Sequence, residues 1–373
     1  MCSRIKVLVP LKREKSPYLK LLYTHVEKYG IEVLHSKSLW SFNFIRKCGS
    51  AKIIHLHWIE YLIRHKCFLL SLTKFILSIL ILLLLRAGGK RLIITLHNIR
   101  PHERICPKME NSWFEIMLTI ADKIIVHNNY SYSMVKKIYG TTVAGKTHII
   151  PHGNFIGCYP NRITQSEARK ILGIPRDTFV VLFFGAIREY KGIDDLLSVF
   201  SDLLSEREDI FLLVCGRTEN ERLRENLLSF CKKFEGKCIV RLEYIPDNEV
   251  LIYMNAADIG VLPYKEVTTS GAALLFQSFA KTVIVPDLPP LKETLGENSV
   301  YFKWGDKEEM KKSIIDALCL GRERMRLLGR KALKKALELD WNNIAFLTFK
   351  LYYSMVNSYK HLKANNNVKL SET

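Results

Sequence analysis

The sequence predicts an α/β protein built from two doubly wound parallel sheets, and three observations carry that prediction. Short runs rich in Val, Ile, Leu and Phe alternate with helical patterns along the chain, as βαβ units require. The 373 residues exceed what one hydrophobic core usually serves, since cores divide beyond ~250 residues. The strand-like runs also fall into two sets, parted by a stretch that holds Pro151, Gly153, Gly157 and Pro160.

In the first set the runs are Ile5 to Val9, Ile53 to Leu56, Leu92 to Leu96, Ile124 to Val126 and His148 to Ile150. Each ends in polar residues, notably His57, Trp58 and Glu60 after the second, His97 and Asn98 after the third, and His127 and Asn128 after the fourth. In doubly wound sheets ligands bind beyond the carboxyl ends of the strands, so these are candidate functional positions. The chain then turns, and polar sequence from Thr164 to Arg169 opens a new helix. The second set comprises Phe179 to Phe184, Ile210 to Val214, Cys238 to Leu242, Ile259 to Leu262, Thr282 to Val285 and Val300 to Phe302. Past Leu339-Asp340-Trp341 a long apolar-periodic helix runs through Tyr352 and Tyr353, and a polar tail at 363–373 is expected to be flexible.

Hydrophobic residues make up 48% of the chain and charged residues 25%, a composition that excludes disorder. Lys and Arg number 56 against 37 Asp and Glu, and the net charge of +19 favours a polyanionic partner. The nine cysteines form no CxxC pair, which fits free thiols in a reducing cytosol and no structural metal. The opening MCSRIKVLVPLK has no signal-peptide pattern, so secretion is not expected.

From Cys67 to Leu85 the segment CFLLSLTKFILSILILLLL carries one charge, Lys74, and approaches the ~20 apolar residues that cross a bilayer. It reads as a span, a helix lying in the membrane interface, or a buried helix. Lys74 near the middle and chemistry-bearing segments on both sides argue against a span, and the interfacial reading is preferred.

Two segments look built for an anion. Gly185-Ala186-Ile187-Arg188-Glu189-Tyr190-Lys191-Gly192 lies between a strand ending in Phe-Phe and a helix beginning Ile-Asp-Asp, so backbone N–H groups and two cations face one turn. Alone, Arg188 and Lys191 read equally well as solvated surface charges. Thr268-Thr269-Ser270-Gly271-Ala272-Ala273 follows Leu262-Pro263-Tyr264 and opens a helix. Ser270 there is a good N-cap, and the small residues let a ligand approach the backbone.

GAIREYKGIDDLL, VCGR, YIPDNEVLIYMNAADIGVLPY, TSGAALL and TVIVPD, in this order and spacing, resemble the carboxyl-terminal half of group 1 retaining glycosyltransferases of the GT-B fold. Upstream, IIHLHWIE, GKRLIITLHNIRPHE, ADKIIVHNNYS and IIPHGNF are similar to the amino-terminal half of a branch that builds surface polysaccharides and glycolipids. The resemblance covers roughly residues 3 to 360. It implies two Rossmann-like domains facing across a cleft: 1–156 joined by a C-terminal helix at about 340–362 on the acceptor side, and 157–339 binding the nucleotide-sugar donor. The helix that crosses back implies a hinge.

By the same resemblance, Arg188 and Lys191 bind the donor diphosphate, with Gly185 in their turn. Gly216 and Arg217 border the nucleotide, and Tyr244 and Ile245 flank its base. Ser270, Gly271 and Ala272 meet the phosphates and donor sugar, Tyr264 lies near them, and His97 faces the reacting sugar. Many relatives carry Glu-x7-Glu in the stretch that here reads TTSGAALLFQSF, whereas this chain has no glutamate between Glu266 and Glu293. The glycine-rich turn after the first strand is also replaced, by Pro10 to Tyr18.

The expected activity is transfer of a sugar from a UDP- or GDP-sugar to a hydroxyl, with retention, and with neither metal nor cofactor. The acceptor is expected to be a glycan or lipid-linked glycan at the cytoplasmic membrane face, reached by peripheral association through 67–85. A non-catalytic nucleotide-sugar-binding subunit and a sugar-nucleotide epimerase are the alternatives. Nucleic acid is not expected, because helix-turn-helix, zinc-finger and aromatic-interleaved basic patterns are missing.

Overall fold

Each half of the chain builds one six-stranded parallel sheet. The computed structural model describes residues 4–101 and 106–369, so the masked part of the GKRLIITLHNIRPHE motif, at 102–105, lies outside the described residues. The first half contains β1 (Lys6–Val9), α1 (Pro17–Glu27), β2 (Glu32–His35), α2 (Phe42–Cys48), β3 (Ile53–His57), α3 (Phe68–Ala87), β4 (Arg91–Thr95), α4 (Pro107–Ile120), β5 (Lys123–Val126), α5 (Asn129–Ala144) and β6 (Thr147–Ile149). The second contains α6 (Gln165–Leu172), β7 (Phe179–Phe184), α7 (Ile193–Glu206), β8 (Ile210–Cys215), α8 (Glu221–Lys233), β9 (Cys238–Arg241), α9 (Val250–Ala256), β10 (Ile259–Val261), α10 (Gly271–Ser278), β11 (Val283–Pro286), α11 (Pro289–Leu295), β12 (Val300–Phe302) and α12 (Lys307–Leu337). A last helix, α13 (Trp341–Lys369), belongs to the first unit, which holds the chain up to Gly153 and from Asp340 onward. The second unit is Asn154–Leu339.

In the first unit the strand order is β2-β1-β3-β4-β5-β6, and every pairing is parallel. Alternate residues of these strands face opposite sides, so the strands separate two cores. Ile54, Leu56, Leu92, Ile94, Ile124 and Val126 join Phe44, Trp113, Phe114 and Val135 on one side. Ile53, Ile93 and Ile125 join Leu19, Tyr23, Trp341, Ile344 and Tyr352 on the other. The second core is therefore completed by α1 and by α13, from opposite ends of the chain.

α3 is the crossover between β3 and β4, which pair in register from Ile53↔Arg91 to His57↔Thr95. Its inward face, including Phe75, Ile79, Leu82 and Leu85, packs on the first core. A helix that returns the chain to the neighbouring parallel strand lies against its sheet, which accounts for the segment without a membrane span. Yet it is not buried either: Leu69, Leu70, Ile76, Leu77, Leu80, Leu83 and Leu84 are exposed, Leu84 by 72%.

The second unit has the order β12-β11-β10-β7-β8-β9, again all parallel. β7 reads FVVLFF and is buried along nearly its whole length, as a central strand covered on both faces must be. The order reverses between β7 and β10, and this is the switch point where such sheets open a crevice. A capping box at Thr164 and Glu167 starts α6, and Asp306 caps α12.

α13 runs to Lys369, beyond the 362 suggested by the sequence, because Lys363 to Lys369 contain neither Pro nor Gly to stop it. Residues 370–373 of the expected tail lie outside the described residues. The eight described cysteines are free, two of them (Cys67 and Cys319) exposed.

Gly153 packs against the first residue of α13: a Cβ there would stand 2.3 Å from Trp341 Cε2. Gly153→Ala is expected to cost about 1–3 kcal/mol, the range for overpacking a rigid contact. Chemical denaturation measures it, and an unchanged midpoint would refute this account of how α13 is seated.

Candidate active site

The second unit's crevice is lined by the turns that leave β7, β8 and β10. Phe184 and Cys215 pair across β7 and β8, which brings Gly185 and Gly216 side by side just past the strand ends. Gly216 has φ +152, and a Cβ on it would sit 1.9 Å from the Gly185 carbonyl oxygen. Only glycine fits that approach. Gly192, at φ +72, closes the turn and leaves no room for a Cβ beside the Pro263 carbonyl, 1.9 Å away. Lys265 N donates to Tyr190 O, so the turns after β7 and β10 are tied across the switch point.

Lys191 points back into this turn. Its Nζ lies 3.3 Å from where a Gly185 Cβ would be and 5.9 Å from the centre of the Tyr264 ring. The ammonium is sunk among protein atoms, although the side chain keeps an exposed edge. Desolvation, then the Arg188 charge, lowers its pKa to about 8. Tyr264 is buried, and burial pushes its phenol pKa up; its hydroxyl meets Ser270 Oγ at 2.7 Å. Ser270 Oγ in turn accepts from Ala273 N as the N-cap of α10. Ala272 Cβ lies 3.7 Å from the same Gly185 Cβ position. Gly185, Lys191, Gly216, Tyr264, Ser270, Gly271 and Ala272 thus share one crevice with a helix N-terminus and an ammonium, a setting suited to an anion.

Other expected residues sit at its margin. Arg217 gives its guanidinium to Glu219 at 2.8 Å on the surface, while its carbonyl accepts from Ile187 N. Tyr244 is 67% exposed and donates to Asp247, and Ile245 is buried. Arg188 precedes the short turn Glu189–Lys191 in extended conformation.

In the first unit, His97 belongs to a cluster for which the sequence had marked only some members. β3, β4 and β5 turn His55, His57, Thr95, His97 and His127 to the face shared by α1 and α13, because these residues are spaced by two along paired strands. His57 Nδ1 lies 3.1 Å from His97 Nε2, and His97 Nδ1 3.3 Å from His127 Nε2. His127 Nδ1 reaches the Ile150 carbonyl at 3.0 Å. Tyr23 from α1 meets His57 Nε2 at 2.6 Å, and Tyr352 from α13 meets His55 Nδ1 at 2.6 Å. His55 Nε2 contacts Thr95 Oγ1 at 2.8 Å.

Burial lowers the pKa of every ring in the row, His55 to about 3 and His127 to about 4, with His57 and His97 well below their ordinary value, and it lowers His152, whose ring centre lies 5.5 Å from that of His127, to about 3. Neighbouring histidines lower His57 and His97 further. Half-buried Trp58 stacks flat on His97, ring centres 4.1 Å apart and planes within 10°. Trp58 holds φ +45, a left-handed conformation that a bulky residue adopts only under constraint. Beside it, Asn98 donates to buried Glu60 at 3.4 Å, and burial raises the Glu60 pKa. Among the described residues no three His, Cys, Asp or Glu groups converge as metal ligands.

His55, His152, Tyr18, Tyr23 and Tyr352 were not singled out from sequence. One signal was available: IIHLHW places two histidines at i and i+2 in a run otherwise buried on both faces, and buried imidazoles require partners.

Residues 164–335 match the family model described as glycosyl transferases group 1. A GDP-mannose:glycolipid 4-beta-D-mannosyltransferase of Xanthomonas campestris pv. campestris is 25% identical over 318 residues, covering 80% of this chain and 79% of the relative. A D-inositol 3-phosphate glycosyltransferase of Thermobispora bispora is 24% identical over 64% of this chain and 57% of its own length. Among solved structures, sucrose-phosphate synthase from Thermosynechococcus elongatus superposes with a TM-score of 0.75 at 15% identity, over 95% of this chain and 100% of that one. Anabaena HepE gives 0.71 at 15% identity, over 94% and 100%.

Because an anion favours the charged ammonium, raising pH through the Lys191 pKa removes the attraction. Calorimetric affinity for a nucleoside diphosphate is expected to hold up to about pH 7.5, then fall as pH passes about 8, while Lys191→Arg abolishes that fall. Affinity unchanged to about pH 9.5 in the wild type would remove Lys191 from the contact.

Proposed function

Since the chain is a group 1 glycosyltransferase with the GT-B fold, we propose that it moves a hexosyl group from a GDP- or UDP-sugar to a hydroxyl of a membrane glycolipid at the cytoplasmic face. The observation that carries this reading is the crevice at the β7/β10 switch point, with two glycine backbones in contact, a sunken ammonium and a capped helix start. The second unit is then the donor domain and the first the acceptor-side domain. Arg188 and Lys191 hold the diphosphate, Gly216 and Arg217 border the nucleoside, and Tyr244 and Ile245 flank the base. Tyr264, Ser270, Gly271 and Ala272 meet the phosphates and sugar, and His97 faces the reacting sugar.

Departure of the nucleoside diphosphate builds negative charge. Arg188, Lys191 and the N-terminus of α10 stabilise it, so the reaction proceeds without a metal. The name of the Xanthomonas relatives supports a mannosyl donor and a glycolipid acceptor. The family resemblance implies retention, with the leaving phosphate taking the acceptor proton. A second reading is inversion: GDP-mannose is an α-glycoside, so the β-mannoside in the relatives' name would require it.

Membrane association is proposed through the outward face of α3, where Leu69, Leu70, Leu80, Leu83 and Leu84 lie exposed along a helix of almost wholly apolar sequence. Leu80→Glu with Leu84→Glu is expected to lower partition onto anionic vesicles about tenfold or more without changing the melting temperature. Equal partition would place the contact elsewhere.

With GDP-mannose or a UDP-hexose and a polyprenyl-diphosphate-linked glycan, the expected product gains one hexose, and its anomeric proton coupling distinguishes retention from inversion. Lys191→Ala should lower kcat/KM by about 100-fold, the loss expected of a charged hydrogen bond to phosphate. Full turnover by that variant would overturn the donor assignment.

A further inference from the structure

The histidine row of the first unit has a direction. The Ile150 carbonyl can only accept, so His127 Nδ1 carries the proton of their 3.0 Å bond. A neutral imidazole has one N–H, so His127 Nε2 accepts, and His97 Nδ1 donates to it across 3.3 Å. His97 Nε2 then accepts from His57 Nδ1 at 3.1 Å, and His57 Nε2 accepts from the Tyr23 hydroxyl at 2.6 Å. Every bond runs one way, from Tyr23 to Ile150, and three successive histidines share the Nδ1–H tautomer. The row is rigid as well as polar: Trp58 lies on one face of His97, and the Tyr18 ring meets it edge-on with centroids 5.0 Å apart.

We propose that His57 and His127 are positioning residues that hold His97 in the single Nδ1–H tautomer and fix its ring beside the reacting sugar. The inference rests on the reading that His97 faces that sugar. Cleavage of a glycosyl phosphate builds positive charge on the ring carbon and oxygen, and a cationic imidazole there would oppose it. A histidine whose two nitrogens are both occupied, one donating and one accepting, stays uncharged and cannot rotate. His127 anchors the row to the backbone, and His57 closes it from the other side.

Nitrogen-15 histidine spectra of the full-length protein at neutral pH test the tautomers directly, with single His→Gln variants giving the assignments. His57, His97 and His127 are expected to show protonated Nδ1 and bare Nε2; a charged or Nε2–H His97 would overturn the inference. His127→Leu removes the acceptor for His97 and should mix its tautomers, lowering kcat roughly tenfold to hundredfold while the donor KM, set in the other unit, stays within about twofold. His127→Gln, whose carbonyl can accept from His97 and whose amide can donate to Ile150, should restore the spectrum and most of kcat. A low kcat in His127→Leu with the His97 signature intact would defeat the positioning role. Full turnover by His97→Gln with the wild-type tautomers confirmed would instead defeat the underlying reading of His97.

Discussion

A buried hydrogen-bonding group must find a partner, and in the first unit that constraint organises everything around the sheet. Four imidazoles enter a face that is otherwise apolar, and each unsatisfied nitrogen there would cost about 1–3 kcal/mol. The backbones of the strands cannot supply those partners, because their N–H and C=O groups are spent on the parallel ladders. Tyr23 from α1, Tyr352 from α13, Thr95 and the Ile150 carbonyl supply them instead. The positions of α1 and α13 are therefore set by polar contacts as much as by the leucines and isoleucines around them.

The second unit works by a different rule. Its site is made of backbone brought closer than side chains would permit, at Gly185, Gly216 and Gly192, with a lysine folded into the gap. Here the electrostatics come from a fixed charge and a helix end, and the side chains mainly keep that charge in place. Tyr264 illustrates this: it is buried, bonded to the N-cap serine, and beneath the lysine.

Much of this was legible beforehand, for reasons that differ by element. The strands showed because parallel strands covered on both faces are nearly continuous apolar runs, as in FVVLFF at β7. The turn after β7 showed because Gly185 and Gly192 bracket two cations within one βα connection. The Tyr23 and Tyr352 contacts were not legible, since they join residues 32 and 297 positions from His55 and a tyrosine in an amphipathic helix carries no mark of its partner. Nor could composition distinguish a span from a crossover at 67–85. The pairing of β3 with β4 decides that, and pairing is a property of the sheet, whose register no local window contains.

The seat of α13 also bears on how the protein comes to be made. Synthesis proceeds from the amino end, so all of the first six strands leave the ribosome long before Tyr352 does. Until then His55 Nδ1 lacks its 2.6 Å bond to Tyr352, and the face bearing Ile53, Ile93 and Ile125 lacks part of its cover. The second unit, contiguous from Asn154 to Leu339, can mature in that interval, whereas the first waits for the last stretch of chain. The nascent protein thus exposes an apolar, histidine-bearing sheet for most of its translation, and a premature stop before Trp341 leaves the second unit whole and the first unfinished.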